Sequence, residues 1–477
     1  MESRNYIGGE WYTPRGDVIH VKNPSNTSEE IGVLHLSEAS DMQQAGEAAQ
    51  KALASWASMN SGKRGQILYQ AADLLASKLD EVATLSSLEM GKPISEMKGE
   101  VMRGVHLLRY YAAEGVRAVG DVIPAGADNV LQYTKRVPLG VVGLITPWNF
   151  PVAIPIWKLA PALICGNTVI WKPAEAASLS ATKITAILAE AGLPAGVLNL
   201  VIGTGSKVGS RMLEELPLDG VSFTGSTKTG LQVAATCARR NIKYQTEMGG
   251  KNAAVVLRDA DLSTTVPAIL SGAFRSAGQK CTATSRIIVE QAAYEPLVDE
   301  LRKEVAKLYV GNALDPSSYL GPVASAGQYE TVRSYVRLAE QTEVLAQGQA
   351  QVDPSTGYYV MPLVVGGVGP DHKLVQEEIF GPVAAVVRAT DAEEAFALCN
   401  QTMYGLSASV FTQNLSRALR FLDETQAGMV RVNLETAGVE YQAPFGGMKL
   451  SSSHTREQGQ AALSFYSQVK TCAVYYG

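Results

Sequence analysis

A chain of 477 residues, 46% hydrophobic and 18% charged, has the length for about three domains and the apolar content for a large core, which excludes an extensively disordered protein. Its 41 Lys and Arg against 46 Asp and Glu, a net charge of −5, supply no global attraction to nucleic acid or an anionic membrane. Five cysteines over this length exclude a disulfide scaffold and point to a reducing compartment.

Met1–Glu10 lacks the basic start and apolar run of a secretory signal. Apolar spacing near 3.6 predicts helices over Asp41–Met59, with Asp41 as its cap, Gly62–Ser77, Leu79–Met90 and Ser95–Glu114. Val130–Val137 alternates weakly, as a strand does. The uncharged window Val137–Trp157 is long enough to cross a bilayer, but Pro138, Pro147, Pro151 and Pro155 exclude one continuous helix. It reads as a buried strand, Val141–Ile145, then an irregular loop and a buried helix. The expectation is a soluble, cytoplasmic protein with no membrane or nucleic-acid partner.

Further along, short apolar runs at Thr168–Pro173, Val197–Gly203 and Gly220–Gly225 alternate with helical windows at Ser178–Ala191 and Ser206–Leu213. This is the pattern of a parallel sheet with crossover helices. Ligands of such sheets sit at the carboxyl ends of the strands, where the Trp148-Asn149, Lys172, Gly203 and Gly225 loops fall. A second α/β run has strands at Ala253–Leu257, Ser285–Glu290 and Ala384–Ala389, and helices at Tyr294–Lys307 and Ala392–Asn400. Lys470–Tyr476 reads as a strand able to pair with Val130–Val137.

Several stretches are able to carry chemistry. The run Gly203-Thr-Gly205-Ser-Lys-Val-Gly209 misses the dinucleotide fingerprint by one residue and reads equally as a strand-to-helix turn. Gly225-Ser226-Thr-Lys-Thr-Gly230 opens a helix toward a phosphate, or simply starts one. The five histidines are scattered and no metal motif exists, so no metal is expected. Cys165, Cys237 and Cys399 lie in apolar or Ala-rich windows and read as packing residues. Cys281 differs: it sits in a small polar loop, Gly278-Gln-Lys-Cys281-Thr-Ala-Thr, where Lys280 would favour a thiolate. Glu247, on a Gly-rich turn, is a general base or a surface carboxylate. Asn149, between Trp148 and Phe150, donates to backbone or to a substrate oxyanion.

Together these pieces resemble the NAD(P)-dependent aldehyde dehydrogenases. TPWNFP (Thr146–Pro151), KPAE (Lys172–Glu175), FTGSTKTG (Phe223–Gly230), EMGGK (Glu247–Lys251), GQKC (Gly278–Cys281), EEIFGP (Glu377–Pro382) and PFGGMK (Pro444–Lys449) occur in the family's order, and 34 residues separate Glu247 from Cys281. The resemblance implies an α/β fold with two Rossmann-like domains and a small β oligomerisation domain. The dinucleotide-binding domain would span 1–117 and 138–249, the catalytic domain 250–449 and the oligomerisation sheet 118–137 and 455–477. It implies Cys281 as nucleophile, Asn149 and the Cys281 N–H as oxyanion donors, and Glu247 as the base that hydrolyses a thioester. NAD, with NADP as the alternative, would be held by Thr146, Pro147, Trp148, Lys172, Glu175, Gly205, Gly225, Ser226, Glu378 and Phe380. A homodimer or homotetramer follows from the same likeness. One departure is visible: Ser451–Gly459 replaces the family's glycines after PFGGMK and is longer by one residue. The resemblance places this segment away from the chemistry.

GQKCTATSR, Ile154–Glu175 and MKLSSSHTREQG are similar to the 2,5-dioxopentanoate (α-ketoglutaric semialdehyde) dehydrogenases. Such a substrate carries a carboxylate that needs a cation in its tunnel. Arg275, six residues before Cys281, and Arg103 match tunnel positions, with Phe150, Trp157 and Phe445 as apolar walls. Trp157 stands where succinic semialdehyde dehydrogenases tend to have Arg. The rivals are a broad aliphatic or aromatic aldehyde dehydrogenase, a cofactor-free cysteine esterase and a non-catalytic structural relative.

Overall fold

The computed structural model describes residues 1–117 and 119–477. Ala118, the first residue of the expected oligomerisation segment, lies outside them.

Two seven-stranded sheets carry the molecule. In the first, the order is Lys243–Glu247, Gly220–Thr224, Val141–Thr146, Thr168–Pro173 and Leu198–Leu200, all parallel, followed by antiparallel Asn5–Ile7 and Glu10–Tyr12. Helices Ala153–Ile164, Ser178–Glu190 and Thr227–Arg239 make crossovers, so the strands are buried on both faces and read as continuous apolar runs. The second sheet runs Glu343–Gln347, Leu363–Gly366, Val383–Ala389, Thr284–Glu290, Asn252–Val256, Ser407–Phe411 and Met429–Val432, with only the first strand antiparallel. A third, three-stranded sheet pairs Ser467–Tyr475 with Val130–Pro138, and Val130–Pro138 with Val122–Ile123. The pairing expected between the C-terminal strand and Val130–Val137 is therefore present.

Leu79–Met90, Thr168–Pro173 and Ala392–Asn400 form with the bounds their periodicity predicts. Pro155 falls in the first turn of the Ala153–Ile164 helix, where a missing N–H costs nothing, so the uncharged window folds as strand, loop and helix. Other expectations shift. The first helix, Ala39–Ser58, is capped by Glu38; Asp41 closes a capping box from the third helical position. The Ser206–Leu213 window divides into a π turn, Gly205–Gly209, and a short helix, Ser210–Glu214. Within 455–477 only Ser467–Tyr475 joins the three-stranded sheet. Gly459–Phe465 is a helix, and Ala462, Phe465 and Tyr466 belong to the apolar core of the first sheet. Strands Asn5–Ile7, Glu10–Tyr12, Val18–Asn23 and Asn26–His35 had no sequence signal; the last two form a largely exposed hairpin without a clean apolar face.

Asn167 ties this framework together. Its side chain accepts from Gly140 N–H at 2.8 Å and donates to the carbonyls of Ala162 and Tyr466 at 2.9 Å each, all out of reach of water. Asn167→Ala leaves the buried Gly140 N–H unpaired and removes one of the two hydrogen bonds that the Ala162 and Tyr466 carbonyls each accept, which should cost about 2–4 kcal/mol. The urea-unfolding midpoint, read by tryptophan fluorescence, measures the loss.

Candidate active site

The carboxyl ends of the first sheet open onto a cleft whose lining includes Pro147, Trp148, Asn149, Gly225, Ser226, Met248, Gly249, Cys281, Glu378 and Phe380. Three chain segments expected to act together thus converge there. Cys281 follows a tightly wound loop. Ser276, Ala277 and Gly278 have φ of 56°, 53° and 70°, the left-handed region that costs a residue with a Cβ about 1–2 kcal/mol. Surrounding groups hold this shape. Glu96 accepts from Ser276 N and Oγ at 3.0 and 2.8 Å, and Gln279 Oε1 accepts from Ala324 N at 3.0 Å. Asn149 Nδ2 donates to Gln279 O at 2.9 Å. Of the two roles open to Asn149, the backbone contact is present, and the second N–H of the same amide is left for an oxyanion.

Burial, then the carboxylates of Glu378 and Glu247, push the Cys281 thiol well above its ordinary range, while the backbone N–H groups of Cys281 and Thr282 pull it down. Lys280 does not supply the expected help. Its ammonium is buried, donates to Ser271 O at 2.9 Å, and is itself shifted down by desolvation. A neighbour in sequence is not a neighbour in space here, because the side chain turns back along the preceding helix.

Glu247 ends the Lys243–Glu247 strand and is 2% exposed. Its Oε2 accepts from Ser452 Oγ at 2.6 Å, and its Oε1 has no partner. Burial raises its pKa well above the carboxylate range; Glu457 adds to this, while Ser452, Lys158 and Arg456 oppose it. Behind it, Glu457 accepts from Trp157 Nε1 at 2.6 Å, from Ser222 Oγ at 3.0 Å, from Gln245 Nε2 at 3.2 Å and from Lys158 Nζ. The Lys158–Glu457 pair is completely enclosed. Ser452 and Glu457 both lie in the segment Ser451–Gly459, so the expectation that this segment lies away from the chemistry is overturned. It packs directly on the candidate base: Met248 N donates to Ser451 O at 2.7 Å, and Gly447 N to Ser452 Oγ at 2.6 Å.

The cofactor candidates separate into two regions. Ser226 caps the Thr227–Arg239 helix, whose N-terminal N–H groups and dipole face the first cleft. Trp148 and Phe380 meet edge-on at 5.6 Å, with Phe380 held at φ 54°. Glu378 Oε1 accepts from Gly250 N at 3.0 Å, and a Cβ on Gly249 would lie 2.2 Å from Glu378 Oε2, so only glycine admits this carboxylate. A second cleft, at the other side of the same strand ends, is lined by Lys172, Glu175, Gly205, Thr229 and Arg239. Lys172 pairs with Glu175 at 3.4 Å. A helix N-terminus for phosphate and carboxylates over two clefts for ribose hydroxyls suit a dinucleotide. Thr146 lines neither cleft; its hydroxyl accepts from Trp171 Nε1 at 2.9 Å.

The substrate candidates are less uniform. Cys281 packs against the cluster of Leu406, Met429 and Phe445, and Phe445 stacks on Trp157 at 5.3 Å. Trp157 is thus an apolar wall and a hydrogen-bond donor at once. Phe150 lies under the Lys92 ammonium at 3.6 Å. Arg275 stacks on Tyr319 at 4.8 Å, with Glu96 and Glu435 acting on the same cluster. Arg103 donates to Gln458 Oε1 at 2.9 Å. Lys158, Ser222, Ser452 and Glu457 were missed in the sequence. The available signal was Lys158 itself, a charge directly after an uncharged window and inside an apolar helix.

Comparison with known proteins agrees with this geometry. Residues 11–472 match the aldehyde dehydrogenase family. The chain is 47% identical to alpha-ketoglutaric semialdehyde dehydrogenase of Bacillus subtilis, over 98% of this chain and 97% of the relative. It is 42% identical to alpha-ketoglutarate semialdehyde dehydrogenase of Haloferax volcanii, over 98% of each. Among solved structures, an NAD-dependent aldehyde dehydrogenase from Sinorhizobium meliloti superposes with a TM-score of 0.96 at 33% identity, covering 100% of this chain and 95% of that one. Betaine aldehyde dehydrogenase from Staphylococcus aureus, solved with NAD+, superposes with a TM-score of 0.95 at 31% identity, covering 99% of this chain and 94% of that one.

The Ser452 hydroxyl favours the charged form of Glu247. Its removal in Ser452→Ala should move the Glu247 titration to higher pH, since a hydrogen bond to the charged form is lost. Difference infrared spectroscopy of the buried carboxyl band, with Glu247→Gln to assign it, follows the shift.

Proposed function

The chain belongs to the aldehyde dehydrogenase family, and on that premise we propose that it oxidises a carboxylate-bearing semialdehyde, 2,5-dioxopentanoate, to the dicarboxylic acid with NAD. The observation that carries this reading is the meeting of Cys281 and the Asn149 amide in one cleft, with Glu247, one oxygen of which is bare, near enough for its charge to act on the Cys281 thiol, on a chain 47% identical to a named alpha-ketoglutaric semialdehyde dehydrogenase.

In this reading Cys281 loses its proton to a water or to Glu247, and the thiolate attacks the aldehyde carbon. The oxyanion formed takes hydrogen bonds from the free Asn149 N–H and from the Cys281 backbone N–H. Bound NAD supplies the hydride acceptor that takes the thiohemiacetal to a thioester. Glu247 then draws a proton from water, which attacks the thioester carbon and releases the acid with the thiol. The dinucleotide would rest with its adenosine end at Lys172, Glu175 and Gly205, its phosphates at Gly225 and Ser226, and its nicotinamide end at Trp148, Glu378 and Phe380. The Lys172–Glu175 pair already occupies the lysine, so Glu175 keeps its acceptor role toward ribose hydroxyls and disfavours a 2′-phosphate.

Among the described residues no helix is long and apolar enough to cross a membrane. The five cysteines stand unpaired, as in the reducing cytoplasm. The three-stranded sheet leaves Val122, Leu131, Val469, Val474, Tyr475 and Tyr476 exposed, which supports burial against further copies in a homodimer or homotetramer.

Initial rates over an aldehyde panel with each cofactor test the proposal. The highest kcat/KM should fall on 2,5-dioxopentanoate with NAD; a better result with pentanal or benzaldehyde would give the broad-specificity reading instead. Glu247→Gln should release about one NADH per subunit in a burst and then stall, whereas Cys281→Ala should give none; rapid-mixing absorbance at 340 nm separates the two. Glu175→Gln should lower the NAD-over-NADP ratio of kcat/KM about tenfold by removing a repelling charge.

A further inference from the structure

Cys281 packs against the cluster that holds Phe445, Phe445 stacks on Trp157, and the residue after Glu457, the backbone partner of Phe445, is Gln458, which meets Arg103. Phe445 and Glu457 exchange backbone hydrogen bonds at 2.7 Å in both directions, which fixes Gln458 one residue beyond the Trp157–Phe445 stack. Gln458 is fully buried and takes φ 60°, a conformation that a side chain with a Cβ adopts only under constraint. The neighbouring Gly459 is clamped on both sides, by Tyr111 OH to its carbonyl at 3.2 Å and by its N–H to Tyr441 O at 3.2 Å.

The hydrogen bonding of this pair is incomplete on one side. Gln458 Oε1 is used by Arg103, but Gln458 Nε2 is buried with no acceptor. Arg103 makes that one hydrogen bond and, among the described residues, no ion pair within 4.0 Å; Glu440 and Glu100 act on it only at longer range, and Glu100, one turn away, is spent on Lys92, Val152 N and Ala153 N. A buried amide donor without an acceptor and a half-buried guanidinium with a single hydrogen bond therefore stand side by side. A carboxylate has two oxygens and satisfies both. An unpaired buried amide donor is costly, so an acceptor that fills this place is favoured. Arg275 offers less: its guanidinium stacks on Tyr319, where Glu96 and Glu435 already supply negative charge.

We propose that Gln458, together with Arg103, forms the seat for the distal carboxylate of the substrate, and that Gln458 is a specificity-determining residue. This rests on the semialdehyde reading above. The substrate spans from Cys281 at its aldehyde end to Gln458 Nε2 and the Arg103 guanidinium at its carboxylate end, across the Phe445 and Trp157 rings.

The test compares kcat/KM for 2,5-dioxopentanoate and for pentanal, an uncharged aldehyde of the same chain length, in the wild type, Gln458→Met, Gln458→Glu and Arg103→Met. Gln458→Glu keeps the size and the contact with Arg103 while presenting a carboxylate. The acid-to-pentanal ratio should fall roughly tenfold to a hundredfold in each variant, with the loss carried by KM for the acid. Loss of both substrates in parallel, or an unchanged ratio, would give Gln458 a purely structural role and overturn the proposal. A wild-type enzyme that does not prefer the acid would sink the semialdehyde reading itself, an outcome visible before any variant is made.

Discussion

Glu457 carries a full negative charge in a place water does not reach, and much of the site is arranged around that fact. Taking a carboxylate and an ammonium out of water costs about several kcal/mol per ion, recovered only if every lone pair finds a donor. Trp157, Lys158, Ser222 and Gln245 provide those donors from a helix and two strands of the first sheet. The contact draws the C-terminal segment against the strand ends and fixes the Trp157 ring. It also decides the state of Glu247. Two buried carboxylates compete for one cation, Lys158, and Glu457 has it. Glu247 keeps one hydrogen bond from Ser452 and a bare oxygen, and its proton is held more tightly as a result.

The nucleophile is governed by the opposite device. No side-chain cation touches Cys281, and Glu378 and Glu247 both raise its pKa. What lowers it is backbone: the N–H groups of Cys281 and Thr282, aimed by a loop with three successive left-handed residues. That loop stores strain of a few kcal/mol, balanced by Glu96, Asn149 and the Gln279 side chain, which also donates to Ser276 O at 3.1 Å. Asn149 therefore has two tasks in one amide, shaping the loop with one N–H and facing the cleft with the other. Lys280, the residue a linear reading favours, is spent on the preceding helix.

Much of the framework was legible because its elements are buried on both faces or bear a clear 3.6 period. Thr168–Pro173 is a six-residue apolar run and Leu79–Met90 a clean helix, and both form as read. The hairpin Val18–His35 and the helix Ala326–Ala339 were silent, since neither has more than a narrow buried face. Cys281, Glu247 and Asn149 stood out as candidates because each sits at the end of a strong element or in the loop beside one, and the resemblance alone suggested their roles. The error over Ser451–Gly459 has a different origin. Ser452 lies 205 residues from Glu247 in the chain, and only the tertiary fold makes them partners. No local pattern encodes such a contact.

The same distinction applies to the two arginines. Composition and position treat Arg103 and Arg275 alike, as cations beside a tunnel, and the net charge of −5 does not separate them. Their surroundings do. A cation lying on an aromatic ring whose surroundings already include the charges of Glu96 and Glu435 has less electrostatic incentive to bind a further carboxylate. A cation whose only partner is an amide oxygen, in partial burial that lowers its own pKa, has a large one. Desolvation strengthens any attraction to an arriving anion, because the cost of stripping water from Arg103 has been met during folding. In the proposed reading, folding free energy spent on placing an arginine with one hydrogen bond and, among the described residues, no ion pair within 4.0 Å is converted into selectivity for a charged substrate.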